Sequence, residues 1–329
     1  MSVPRKHHYI PVFYLKQWRG TDGRLCEYKR VAGKIVTRRT FPDGTGYQKD
    51  LYRIDGLPDP VAHVVEQKFM HMVDTGANYA LQKLLHGDTA PWDEPVRSAW
   101  TRFVLSLRFR NPESVAIIKS QMITLWETVL ENMRINYDTV HYPGDPPTFE
   151  EFVARTEREA PGKAAMNLLQ EIIDNPRVGP TIFEMKWSRV SLAASHISLL
   201  TSDRPLDMPR GLGSSEAYIA LPIGPRTLFV ADHDGTSAKR LGTLNPTSIV
   251  KNVNMAVVHQ ARQFVWGLDE GQSRFVQNRM SKAPDRPVIS DEQRQAAIDA
   301  ALTAKPSTQS ERAEFARREA EVWQRGRGP

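Results

Sequence analysis

Between residues 61 and 85 apolar side chains recur every three to four positions: Val61, Val64, Val65, Phe69, Met72 and Val73, then Ala80, Leu81, Leu84 and Leu85. That period lines one face of a helix, which must be buried against another element. The same texture continues through Val96, Trp100, Phe103, Val104 and Leu107, and then from about Glu113 to Asn136. Asp59 and Pro60 suit a helix start, and Pro112 must break the run because it has no amide proton and clashes with the preceding turn. The loop at 142–147 is followed by Thr148, which opens another helix. A helical block over about 60–175 is therefore expected.

The flanks read differently. Short apolar runs at 25–28 and 34–37 sit on either side of Ala32 and Gly33, a hairpin signal. Phe183, Met185 and Trp187 alternate with Glu184, Lys186 and Ser188, the period-two pattern of a half-buried strand. Further strands are expected at 196–201, 218–221, 227–231 and 263–266. Ile249, Val253, Ala256, Val257 and Gln260 fit a helix between the last two. Strands, then helices, then strands with a helix imply an α+β fold. A mixed or antiparallel sheet would be shared by the N-terminal and C-terminal thirds, with the helical block inserted. Residues 1–283 read as a single domain and 284–329 as a charged helical tail. In that tail Ser290 and Gln293 form a capping-box pattern, and Glu314 supports Arg318 at i,i+4 spacing.

Composition sets limits on function. The chain of 329 residues carries 44 Lys+Arg against 38 Asp+Glu, a net charge of +6. This permits a nucleic acid or an anionic ligand as partner without demanding one. Cys26 is the single cysteine, so no intrachain disulfide can form, and a small buried hydrophobe is its simplest role. Charge at Arg5 and Lys6 with no apolar stretch behind it is unlike a signal peptide, and no run is long and apolar enough for a membrane span. A soluble, cytoplasmic protein is expected. The sequence has no dinucleotide-binding glycine motif, no Walker loop, no His-Glu-x-x-His, no Gly-x-Ser-x-Gly and no CxxC pair. It names no cofactor or metal and leaves the oligomeric state open.

Several polar constellations stand out. Adjacent His7 and His8 precede Tyr9, Ile10 and Pro11, and imidazoles can shuttle protons, bind metals or donate to phosphates. His63 with Glu66, and His71 with Asp74, share a helix at i,i+3 spacing. That spacing occurs in carboxylate-bridged metal sites, but core or surface histidines explain it more simply. Arg108 and Arg110 point to different helix faces; one of them could clamp a carboxylate or phosphate, or close a salt bridge. Thr201, Ser202 and Asp203 end an apolar strand before Arg204 and Pro205. Asp203 could be a general base or a metal ligand, or could serve its own turn.

The run His8-Tyr9-Ile10-Pro11-Val12-Phe13-Tyr14-Leu15 resembles the opening signature of the DUF4238 family. Arg110-Asn111-Pro112 resembles the Arg-Thr-Pro helix end of that family. Thr201-Ser202-Asp203-Arg204-Pro205 resembles its Thr-Ser-Asp-Asn-Pro turn, and Asn254 with Ala261 and Val265 its closing helix and strand. Asn111 and Arg204 depart from the pattern. The resemblance covers about residues 6–267 and implies a mostly bacterial family without a defined mechanism.

Two functions follow as expectations. In the first, a hydrolytic enzyme such as a nuclease or phosphodiesterase, His8 is acid or base and Asp203 its orienter or a metal ligand. Arg110 and Asn254 then stabilise an anion. In the second, a non-catalytic binding or sensing protein, such as one serving phage defence, the same four residues form a structural polar network. Whether the chain is an enzyme is left undecided by the sequence.

Overall fold

The structure is a computed structural model that describes residues 5–283, apart from 60, 88–91, 141–143 and 157, together with scattered residues between 292 and 299. The expected tail features at Ser290, Gln293, Glu314 and Arg318 lie outside the described residues.

The chain opens with β1 (Lys6–His8) and a short helix α1 (Val12–Leu15). Next come the hairpin β2 (Leu25–Val31) and β3 (Lys34–Thr40), and then β4 (Tyr47–Lys49). Ala32 and Gly33 both take positive φ, 47° and 80°, as a two-residue hairpin turn requires. β1 and β4 pair antiparallel, with His7 opposite Gln48.

The helical block follows, and its first stripe is wound in three pitches. Residues 61–63 form a 3-10 turn, 65–70 a π-helix, and only then does α2 (His71–His86) begin. Val65, Phe69, Val73, Ala77, Ala80, Leu81 and Leu84 are buried as the period demands, whereas Met72 is exposed. Helix α3 (Glu94–Phe109) is capped by Asp93, which accepts from Val96 N at 3.3 Å. Helix α4 (Pro112–Val140) starts on Asn111, whose Oδ1 accepts from Ser114 N at 3.0 Å. It runs past the expected end at Asn136, where the backbone kinks out of helical geometry. Then come α5 (Phe149–Arg155), capped by Thr148, α6 (Ala160–Ile173) and α7 (Val178–Glu184).

The last third holds β5 (Lys186–Ser191), β6 (Thr201–Ser202), β7 (Tyr218–Gly224) and β8 (Thr227–Asp232). Helices α8 (Thr236–Gly242) and α9 (Pro246–Gln260), strand β9 (Phe264–Gly267) and helix α10 (Ser273–Arg279) follow. The strand expected from Phe183 starts later, because α7 extends through Glu184. Arg97 closes the join: its guanidinium lies 3.9 Å from the Trp187 ring and donates to Met185 O at 2.5 Å. The strand expected over 196–201 shrinks to Thr201 and Ser202, because side chains serve its backbone instead of a ladder. Arg226 donates to Ser195 O and Ile197 O, and Asn254 accepts from Leu200 N.

Among the described residues three antiparallel sheets result, and the fold is α+β. The four-stranded sheet has the order β3-β2-β9-β6 and joins the two ends of the chain; the three-stranded sheet has the order β5-β8-β7. The helical block is inserted between those ends. The main core stacks Tyr14, Trp18, Trp100, Phe103 and Phe229 among the buried helix stripes. Among the described residues no helix is long and apolar enough to cross a membrane.

Candidate functional site

Strand alternation sends His7 and His8 to opposite sides of β1. His7 is fully buried, and its Nδ1 accepts the Tyr52 backbone N–H at 3.0 Å. The proton of the neutral ring therefore sits on Nε2, which donates to His63 Nδ1 at 3.0 Å. His63 Nε2 lies 3.2 Å from an Asp59 carboxylate oxygen without hydrogen-bond geometry. His7, His63 and Asp50 have ligand-type atoms within 4.8 Å of one another. A metal on His7 Nε2 would displace that proton, and Nδ1 cannot take it up while facing the Tyr52 amide. Metal-bound histidines normally keep the second nitrogen protonated and donating, so the donor set fits a hydrogen-bonded chain better than a metal centre.

His8 faces the other way. Burial holds its imidazole neutral, down to about 4, and its Nε2 is enclosed without a partner. Its carbonyl accepts from Arg110 Nη2 at 2.7 Å. Arg110 is fully buried at the end of α3, and its fork grips Asp74 through Nη1 at 2.6 Å and Nη2 at 3.1 Å. The Arg110 carbonyl accepts from the Tyr52 hydroxyl at 2.8 Å. The arginine thus ties α2, α3 and β1 together, and the carboxylate it clamps belongs to the chain itself.

Glu66, in the π-turn beside this group, receives the His8 backbone amide but keeps Oε2 unpartnered. Burial pushes its carboxyl up to about 7, against the opposing pull of Arg110. The folded state therefore holds this proton more tightly than the unfolded chain does. The stability so gained is complete below the ordinary glutamate value of 4.5 and is lost as pH rises through about 7. Glu66→Gln is expected to remove that loss. Its unfolding free energy should exceed that of the wild type by up to roughly 3 kcal/mol at pH 8, and the two should converge near pH 4. Urea denaturation of both proteins across this range measures the difference; parallel curves would refute the assignment.

The third distinctive segment is held from both sides. The Tyr14 hydroxyl donates to Pro222 O at 2.6 Å and meets Thr201 Oγ1 at 2.8 Å; Trp18 Nε1 donates to Leu199 O at 2.8 Å. Ser202 Oγ donates to Val257 O at 3.1 Å. Asp203 is buried, and its carboxylate accepts three successive amides: Arg262 N at 2.9 Å, Gln263 N at 2.6 Å and Phe264 N at 2.9 Å. Burial still pushes its carboxyl up to about 6. Asn254, from α9, accepts from Leu200 N at 2.8 Å and donates to Ser198 O at 2.9 Å and Gln272 Oε1 at 3.0 Å. Of the four residues singled out by sequence, Arg110 thus meets His8 through its carbonyl. Asp203 and Asn254 hold the backbone on either side of β6.

The segments themselves do converge. A cavity of about 420 Å³ is lined by Tyr9 from the first, Pro112 from the second and Asp203 from the third. Sequence reasoning missed Tyr9 as its floor and missed the arginines, Arg30 and Arg262, that share its wall. Tyr9 could have been found inside the signature run, whereas Arg30 and Arg262 sit in unremarkable sequence. The departures at Asn111 and Arg204 are explained locally. Asn111 caps α4, and Arg204 lies 3.6 Å from Glu113, which lines the cavity.

No curated protein and no solved structure matches the chain. One family does: DUF4238, described as a protein of unknown function, matches residues 6–271. The three segments that meet at the cavity all fall within that span, and the chain belongs to the DUF4238 family.

Proposed function

We propose that this chain is a non-catalytic binding or sensing protein in which His8, Arg110, Asp203 and Asn254 are structural polar groups, Arg110 with the His8 carbonyl on one side and Asp203 and Asn254 on the backbone around β6 on the other. One observation carries the reading: the Asp203 carboxylate is occupied by three backbone amides, which leaves it little capacity to take a proton from a substrate. Arg110 and Asn254 are similarly committed, to Asp74 and to the backbone around Leu200. The hydrolytic alternative needs the His8 imidazole to reach a substrate, and its Nε2 is enclosed.

Bis(p-nitrophenyl) phosphate and single-stranded DNA or RNA, with and without magnesium or manganese, test the two readings. The expected result is no turnover above buffer, with His8→Ala lowering stability by about 2 kcal/mol through the cavity it leaves. Turnover that disappears in His8→Ala at unchanged melting temperature overturns the proposal.

A further inference from the structure

Tyr9 is fixed by its backbone and left open at its hydroxyl. Its amide donates to Gly46 O at 3.0 Å, and the residue is only 2 % exposed. Among the described residues the hydroxyl has no hydrogen-bond partner. The phenol is pushed up by burial first, and then by Asp203 and Glu113, the two carboxylates that line the junction cavity with it. It therefore stays protonated at any ordinary pH and lies near the cavity wall. A buried tyrosine hydroxyl usually finds a partner, and here the direction left open is the cavity.

The charged groups around it are already committed. Arg262 donates through Nη1 to Ala283 O at 3.2 Å, and Arg30 through Nη2 to Met280 O at 2.5 Å. Asp203 is covered by three amides, and Glu113 lies 3.6 Å from Arg204. Two arginines and two carboxylates in the lining cancel, so the cavity selects no net charge. What stays open is Tyr9, one oxygen of Glu113 and two carboxamides. Gln48 and Gln263 are exposed, and their carboxamides have no partner among the described residues. Their backbones are held, Gln48 opposite His7 in β4 and Gln263 between Asp203 and Arg30 N.

That inventory selects a ligand. A phenol that donates, two carboxamides that donate and accept, and a carboxylate oxygen that accepts match a row of hydroxyls. Apolar lining is confined to Pro112 and the Tyr9 ring, too little for an acyl chain or a flat base. A volume of about 420 Å³ lies within the range of small-molecule sites.

The geometry points to this cavity as the binding site of a small neutral, hydroxyl-rich molecule, a free sugar or polyol. Tyr9 donates to one hydroxyl, Gln48 and Gln263 bracket others, and Glu113 accepts. The inference rests on the binding-protein reading above and gives that reading a ligand chemistry.

Saturation-transfer NMR titration of the full chain tests it with glucose, ribose and myo-inositol, and with glucose 6-phosphate and 1,6-hexanediol as controls. At least one of the three neutral polyols is expected to bind with a millimolar or tighter Kd, and 1,6-hexanediol at least about tenfold more weakly than that polyol. Glucose 6-phosphate should gain no more than about twofold over glucose, because the arginines are spent. Tyr9→Phe, which removes only the unpartnered hydroxyl, and Gln48→Ala, at an exposed position, should each weaken polyol binding about fivefold or more at unchanged melting temperature. The inference is overturned if none of the three polyols binds, if hexanediol binds as well, if the phosphate improves binding about tenfold, or if both variants bind like wild type. Turnover in the phosphodiester assay would remove the binding-protein reading whatever the titration gives. A flat titration without turnover would remove the ligand class and leave the structural role of the four polar residues standing.

Discussion

Replacing Arg110 by alanine should destabilise the protein by about 3 kcal/mol, the low end of what breaking a buried ion pair costs. The guanidinium is fully enclosed and holds Asp74, the His8 carbonyl and, electrostatically, Glu66. Without it the Asp74 carboxylate loses its bidentate partner while Glu66 still repels it. The loss stays at the low end because Asp74 reaches the protein edge, with 24 % of its side chain exposed, and can hydrate once released. The double variant Arg110→Met with Asp74→Leu should recover most of the loss, because the cost lies in the orphaned charge rather than in a missing attraction. Urea denaturation at constant m-value measures each step. A single-variant loss under about 1 kcal/mol would show that Arg110 does not organise this corner.

Asp203→Ala should be at least as damaging, at roughly 4 kcal/mol. Its carboxylate satisfies three consecutive amides at the entrance to β9. The same side chain keeps the turn after β6 against the strand it pairs with. Asp203→Asn should fall between wild type and alanine, because a carboxamide keeps one acceptor oxygen but presents an N–H to a second amide. Hydrogen exchange at Arg262, Gln263 and Phe264 reads the effect site by site. Protection at these three amides should collapse in the alanine variant while the hairpin of β2 and β3 keeps its own. Unchanged protection would mean the turn is held elsewhere. Both predictions depend on partners far off in sequence, 36 residues for Arg110 with Asp74 and 59 to 61 for Asp203 with its amides.

The parts of the fold that were legible in the sequence are those set by local repetition. The Ala32-Gly33 hairpin, the helix ending before Pro112, the stripe through Leu84 and the strands at 218 and 227 all express a period or a turn chemistry within a few residues. The shared sheet between the chain ends was also legible, from the order of textures. The strand expected over 196–201 was overstated because its backbone is served by Arg226 and Asn254, which no local pattern announces. The π-turn at 65–70 was invisible because it keeps the apolar spacing of an ordinary helix.

By itself the sequence determined the family, the α+β class and the segments that matter, because each is written in contiguous residues: His8 to Leu15, Arg110 to Pro112, Thr201 to Pro205. Only the tertiary structure decided what those segments do. It turned His7 toward His63 and His8 toward Asp43, gave Arg110 to Asp74, and filled the Asp203 carboxylate with amides. It also brought Tyr9, Pro112 and Asp203 to one cavity beside Arg30 and Arg262. The physical reason is that a buried polar group must find its partner wherever packing puts one. That partner is chosen by the folding of the whole chain, and no spacing along the sequence encodes it.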